Sequence, residues 1–166
     1  MVGAVAPSSK GLARAMARGA DQAGFVIELG AGTGAITREL AQRCRPERLA
    51  IVEPDPTAAR RLRHLFPHSL ILACCAHEAP ELFASLPDDA LLVSSLPFRS
   101  LPDHVIAPTI ELLLGVLNHG SRRRLVQYTY HPRAPFDVPH DFKWHRRERV
   151  LRNLPPAGIR ELTGRA

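Results

Sequence analysis

The chain has 166 residues, 45% hydrophobic and 23% charged, a length and balance that fit one folded domain and argue against wholesale disorder. Its net charge of +6 is almost wholly arginine, because Lys10 and Lys143 are the only lysines; that suits an anionic partner such as a lipid headgroup, a membrane surface or RNA, and equally an ordinary solvated surface. Cys44, Cys74 and Cys75 make neither a disulfide framework nor a metal spacing, and no apolar run approaches the roughly 18 residues of a membrane span, so no metal site is expected, membrane contact is expected to be peripheral and the reducing cytoplasm is the expected compartment.

The first residues read as an extended lead-in, with Ser8 or Ser9 capping an alanine-rich helix over 11–20. Gly24 releases the chain into a strand, Phe25 to Leu29. After a glycine loop, Ile36, Leu40 and Cys44 recur on one face while Thr37, Arg38 and Glu39 point elsewhere, which predicts an amphipathic helix. The pattern then repeats: an apolar strand Leu49 to Val52 ending in Glu53, and a helix from Pro54 to Phe66 with Ala58, Leu62, Leu65 and Phe66 inward. A third strand is expected from Ser69 to Cys74, a short helix from Pro80 to Leu86 and a fourth strand from Ala90 to Ser94. Asp103 can cap a long helix running to His119 and closed by Gly120. Its stretch Ile110 to Leu117 is apolar nearly all round, too short to span a membrane and read as a core helix. A fifth strand is expected from Arg124 to Tyr130, irregular chain from His131 to Trp144, and two further short strands, Glu148 to Leu154 and Gly158 to Leu162, as a hairpin. Apolar strands alternating with helices predict an α/β fold, a mostly parallel Rossmann-like sheet with helices on both faces.

The segment that carries chemistry is ELGAGTG, residues 28 to 34. In an open parallel sheet, ligands bind beyond the carboxyl ends of the strands at the switch point, where a first glycine loop sits. Gly30, Gly32 and Ala35 satisfy the dinucleotide spacing, so the glycines alone leave a nicotinamide-type cofactor and a nucleoside without pyrophosphate level. A phosphate loop is disfavoured, since no Gly-Lys-Ser/Thr follows. Glu28 breaks the tie: a carboxylate immediately before the loop repels a pyrophosphate and attracts a ligand carrying an ammonium and a sulfonium, which is S-adenosylmethionine. Glu53, roughly 20 residues beyond the loop, is placed to accept from two ribose hydroxyls, a role both cofactors share.

These residues resemble a known family. VIELGAGTGAITREL is similar to the first motif of class I S-adenosylmethionine-dependent methyltransferases, and IVEPD to their second-strand acidic motif. Three further stretches, GAVAPSSKGLARAMA, LVSSLPFRSLP and VQYTYHPRAPF with RVLRNLPPAGI, resemble bacterial phospholipid N-methyltransferases, which methylate phosphatidylethanolamine, or similar lipid-amine methyltransferases. The resemblance runs from about Gly3 to Ile159. It implies one methyltransferase domain of the seven-stranded type over residues 1–166. It implies a cofactor site of Glu28, Gly30, Ala31, Gly32, Gly34, Glu53, Pro54, Cys75 and Ala76, with the acceptor beside Ser95, Leu96, Pro97 and Phe98.

Methyl transfer is an in-line displacement, so the site must align a neutral amine rather than supply a strong acid or base. Tyr128 and Tyr130 alternate on the fifth strand; rings there can hold an alkylated ammonium, or equally be core tyrosines. His131 and Arg133 are candidates for a lipid phosphate. Arg122 to Arg124 and His145 to Arg147 read as solvated faces that can also dock anionic lipid. Ser95 stands where adenine N6-methyltransferases carry Asn or Asp before a Pro-aromatic pair, which counts against RNA adenine as the acceptor; a non-catalytic cofactor-binding or lipid-binding relic is the third reading.

Two departures from the resemblance matter. Where the family carries an acidic residue after the third strand for the adenine amino group, this chain has Cys74-Cys75-Ala76, and His77 and Glu78 compensate only if the loop shifts. The longer amphipathic N-terminal helix of the group is expected to be short or absent, or to lie upstream of Met1. The close C-terminus predicts an incomplete final sheet edge.

Overall fold

The computed structural model describes residues 9–151, 153 and 155–164. Helix α1 spans Lys10–Met16, and the Ser9 side chain caps it by accepting from the Leu12 N–H; Ser8 lies outside the described residues. Strand β1 (Val26–Leu29) is followed by α2 (Ala35–Ala41), β2 (Leu49–Val52), α3 (Pro56–Leu65), β3 (Leu70–Leu72), α4 (Pro80–Ala84) and β4 (Leu91–Ser94). Helix α5 (Asp103–Asn118), β5 (Arg124–Thr129), β6 (Phe142–Val150) and β7 (Ala157–Gly164) complete the order.

The seven strands form one sheet in the order β3-β2-β1-β4-β5-β7-β6. Strands β1 to β5 pair in parallel, and β7 runs antiparallel between β5 and β6. This is the expected Rossmann-like fold, and β7 and β6 extend the sheet beyond β5. The interior strands β1, β2 and β4 are buried at every residue, as a parallel sheet covered on both faces requires. One core packs α1 to α3 on one face through Leu12, Met16, Leu40 and Leu62; the other packs α4 and α5 on the opposite face through Phe83, Leu113 and Leu117.

Several local expectations are corrected. On α3 the inward residues are Ala59 and Leu62 with Phe66 half-buried, while Leu65 is 44% exposed. Thr37 does not point away: it is fully buried. Pro102, with its fixed φ, takes the cap position of α5, so Asp103 becomes the first helical residue and makes no cap hydrogen bond. Gly120 does not close α5 in a left-handed turn, since the positive-φ glycines are Gly19, Gly30, Gly32 and Gly34. The apolar helix is confirmed as packing against the core along Thr109, Leu113, Val116 and Leu117. The irregular stretch after β5 ends sooner than predicted, because β6 begins at Phe142. Its sequence FKWHRRERV hides it, since charges on an edge strand are compatible with pairing along the other side.

The arginine-rich runs are not uniformly solvated. Arg123 is buried and donates to the carbonyls of Leu86, Pro87 and Val116, and Arg124 donates to the Gly19 carbonyl. Arg48 likewise ties the carbonyls of Ala23 and Gly24. Arg122 remains at the surface, paired with Asp88. Part of the positive charge therefore serves as loop fastening, which a charge run read along the chain does not reveal.

Candidate active site

The parallel strands deliver their carboxyl ends to one edge of the sheet, and β1 lies between β2 and β4 at the point where the strand order reverses. The loop after β1 turns through Gly30 (φ 74°), Gly32 (φ 50°) and Gly34 (φ 77°), a left-handed conformation that side chains disfavour. At Gly30 and Gly34 an added Cβ would meet Leu96 and Leu62 at 3.0 Å, whereas at Gly32 it would meet nothing among the described residues within 4 Å. Gly32 is therefore the glycine whose backbone lies open to a ligand. Within the turn, the Gly34 N–H donates to the Ala31 carbonyl at 2.8 Å and the Gly30 N–H to the Val52 carbonyl at 2.9 Å.

Glu53 braces this loop. Its Oε2 accepts from the Gly32 N–H at 2.8 Å and its Oε1 from the Asp55 N–H at 2.9 Å. Each carboxylate oxygen has a second lone pair, so both can still accept from a hydroxyl. Glu28 is different. It is completely buried, on the same face of β1 as Val26 and beneath α2. The donors acting on it are the Thr37 hydroxyl and backbone N–H, yet neither completes a hydrogen bond of normal geometry, and both carboxyl oxygens lack a partner among the described residues. Burial pushes its pKa from 4.5 up to about 8, and the nearby Glu53 charge adds to the rise. A buried carboxyl without a partner is costly; a cation arriving at the loop is the group that would make it favourable.

Beyond β2 and β3, a cavity of about 120 Å³ is lined by Leu29, Gly30, Pro54, Cys75, Ala76 and Thr109 among others. Cys75 begins a single 3₁₀ turn over Ala76–Glu78, and the Glu78 carboxylate folds back to accept from the Cys75 N–H at 2.6 Å. Burial first, and the Glu78 charge second, push the Cys75 thiol up, so it stays neutral. Beyond β4 and β5, a second cavity of about 310 Å³ is lined by Ser95, Leu96, Pro97, Phe98, Tyr128 and Tyr130, with Gln127, His131 and Pro135 also on its wall. The Phe98 ring is buried against Phe136 at 4.8 Å, and the rings of Tyr128 and Tyr130 meet edge to face at 5.4 Å. The sheet edge thus presents a polar glycine cradle, a small cavity on one side of it and a larger aromatic one on the other.

Comparison with known proteins gives the family. No family model matches the sequence. The chain is 31% identical over 176 residues to an ornithine lipid N-methyltransferase of Singulisphaera acidiphila, covering 95% of this chain and 85% of the relative. The chain belongs to the class I S-adenosylmethionine-dependent methyltransferases. Among solved structures, the 23S rRNA methyltransferase ErmE is similar with a TM-score of 0.56 and 20% identity, over 92% of this chain and 68% of that one. A TehB-like S-adenosylmethionine-dependent methyltransferase from Corynebacterium glutamicum is similar with a TM-score of 0.57 and 16% identity, over 90% and 87% of the two chains. At such identities the structures speak for the fold.

For this methyltransferase the cofactor is S-adenosylmethionine, and the cradle fits it: an open backbone at Gly32, a paired acceptor at Glu53 and an orphaned buried carboxyl at Glu28. The sequence-read residues on the cofactor side converge on the loop and the smaller cavity, and those on the acceptor side line the larger one. Among the described residues no group of side chains could hold a metal ion, and no helix is long and apolar enough to cross a membrane. Arg133 lies outside the larger cavity's wall, and its N–H donates to His131 Nδ1.

One residue was missed by reading the sequence. Gln127 is buried on β5, and its amide donates to the carbonyls of Leu96 (3.1 Å) and Tyr128 (2.8 Å), while its Oε1 has no partner. It fastens the loop after β4 to β5. A lone amide directly after the apolar pair Leu125-Val126 is the available signal.

Proposed function

We propose that the protein methylates the primary amine of a lipid headgroup, a phospholipid such as phosphatidylethanolamine or a similar lipid amine. The observation that carries this reading is the larger cavity: apolar and aromatic walls of Leu96, Phe98, Tyr128 and Tyr130 around a short polar stretch at Ser95, suited to an amine attached to an apolar body. The relative from Singulisphaera acidiphila, named for an ornithine lipid, supports it.

The cofactor supplies a methyl group on a sulfonium, already activated towards a nucleophile. Glu28 meets the cofactor's positive charge, Glu53 accepts from its ribose, and Gly30, Ala31, Gly32 and Gly34 let the backbone approach closely. Pro54, Cys75 and Ala76 wall the adenine. Ser95 and the carbonyls of the Ser95 to Phe98 loop accept from the acceptor amine and orient its lone pair. Partial desolvation against Phe98 and Tyr128 favours the neutral, nucleophilic amine, and Tyr130, 40% exposed at the mouth, attracts the alkylated ammonium product by roughly 0.5 to 2 kcal/mol. Contact with the membrane is peripheral at its cytoplasmic face, supported by exposed Arg146 and Arg149 and by Leu151, which leaves an apolar side chain in solvent beside them.

Labelled methyl transfer tests the acceptor. With phosphatidylethanolamine vesicles and ribosomal RNA offered separately, label is expected in the lipid; label in RNA alone would reject a lipid acceptor. Cys75 gives a sharper test of the cofactor side. Replacing it with asparagine restores a neutral acceptor for the adenine amino group without a second charge beside Glu78. Calorimetry is expected to show about 5- to 10-fold tighter S-adenosylmethionine binding, the value of roughly one hydrogen bond; unchanged affinity would place the adenine elsewhere.

A further inference from the structure

A second recess adjoins the larger cavity and shares Thr129, Tyr130 and His131 with it. Its volume is about 280 Å³, and its outer wall carries Arg146, Arg149 and Arg160 around Gly158. The local fold assembles these three guanidinium groups. Arg146 lies directly opposite Arg160 in the β6–β7 ladder, and Arg149 directly opposite Gly158. Alternation alone would put residues 146 and 149 on opposite faces. The register shift between Arg146 and Glu148 adds one residue to β6 and brings both onto the face of Gly158 and Arg160.

Like charges directly opposite on neighbouring strands are destabilising, and here no carboxylate among the described residues pairs with them. Glu148, the acidic residue of the rim, is ion-paired to Arg18, and the neighbouring Arg147 takes Glu161 at 3.3 Å. Arg160 spends one donor on the Pro132 carbonyl and keeps the others of its fork. Partial burial and the Arg146 charge both push the Arg160 pKa down, the direction expected of cations that face each other without an anion between them.

We propose that this recess is an anion subsite, in which Arg146, Arg149 and Arg160 bind the phosphate or carboxylate of the same headgroup whose amine enters the neighbouring cavity. It rests on the lipid-amine reading for its place in the reaction, and on the recess alone for its chemistry. Guanidinium forks match either oxyanion in bidentate geometry. The shared wall of Thr129, Tyr130 and His131 sets the two groups of a zwitterionic headgroup side by side. Such a site selects amines that carry an anion a few bonds away over simple long-chain amines.

Two measurements test it. Inorganic phosphate and acetate are titrated into the wild-type protein, Arg146→Gln and, as a control at a distant surface, Arg122→Gln. Saturable millimolar binding is expected, at least five-fold weaker in Arg146→Gln and unaltered in Arg122→Gln. No saturable binding of either ion, or equal weakening in both variants, overturns the subsite whatever the enzyme methylates. The second measurement is the ratio of kcat/KM for an anionic-headgroup amine to that for an anion-free long-chain primary amine. It is expected to fall about ten-fold in Arg146→Gln, mostly through KM; an unchanged ratio overturns the proposal. Phosphatidylethanolamine and an ornithine lipid, assayed in parallel, tell phosphate from carboxylate. If the anions bind as expected and no lipid amine is methylated, the lipid acceptor falls and the subsite stands.

Discussion

Glu28→Gln is expected to make the empty protein more tolerant of alkaline pH while removing most of its affinity for S-adenosylmethionine. Glu28 is neutral in the unfolded chain only below about its ordinary 4.5, and in the folded protein up to about 8. Between those values the native state holds a proton that the unfolded state has lost. The stability this carboxyl permits is thus fully present below pH 4.5 and is lost as pH rises towards 8. Against the variant, wild-type unfolding free energy should decline by at most about 1.4 kcal/mol per pH unit across that window. A denaturant series from pH 5 to 8 reads the difference, and parallel curves would mean that the buried carboxyl does not titrate there. In the proposed role the arriving cation displaces the proton, so calorimetry in two buffers at pH 7 should show about one proton released by wild type and none by the variant. Loss of the charged partner is expected to cost on the order of 100-fold in affinity, the scale of a buried charge pair losing one member.

Glu53→Ala is expected to be the most damaging single change at the loop, because it removes two functions together. The N–H groups of Gly32 and Asp55 lose their acceptor, which costs roughly 1 to 3 kcal/mol of stability where no water replaces it. The proposed ribose contacts go as well, so cofactor affinity should fall by about 100- to 1000-fold. Glu53→Gln separates the two effects. Its carbonyl oxygen can serve one N–H while its amide cannot accept from the other, so stability should be intermediate and binding still impaired by about 10-fold or more. Equal affinity in wild type and Glu53→Ala, with both folded by circular dichroism, would remove Glu53 from the cofactor site.

The first half of the fold was the more legible in sequence. The repeated strand, turn and helix around Glu28 and Glu53 states its own geometry, because buried parallel strands read as apolar runs and a left-handed loop needs glycine. What escaped depends on neighbours remote in the chain. Thr37 reads as the polar side of a helix, whereas it is buried facing the carboxyl beneath α2. Leu65 fits the helical period but is left exposed at the end of α3. Arg123 and Arg124 continued a charge run, while the carbonyls of Leu86, Pro87 and Gly19 that they bind are dozens of residues away. Gln127 is overshadowed by the two tyrosines that follow it, and β6 is obscured by charges on both of its faces. On the acceptor side, Ser95 to Phe98 and Tyr130 are expected from motif and line one cavity, but the recess with Arg146, Arg149 and Arg160 depends on a one-residue register shift that composition cannot display.

The position of β1 between β2 and β4 also divides the labour of the chain. Residues proposed for the cofactor end at Ala76, and those proposed for the acceptor begin at Ser95, with the buried strand β4 as the seam. A lineage can therefore exchange one substrate for another by altering the segment after Ser94, provided that Leu96, which packs against Gly30, and Thr109, which walls the smaller cavity, are kept. The same seam offers a crossover point for laboratory chimeras, in which the second half of a related enzyme brings its own acceptor to this glycine loop.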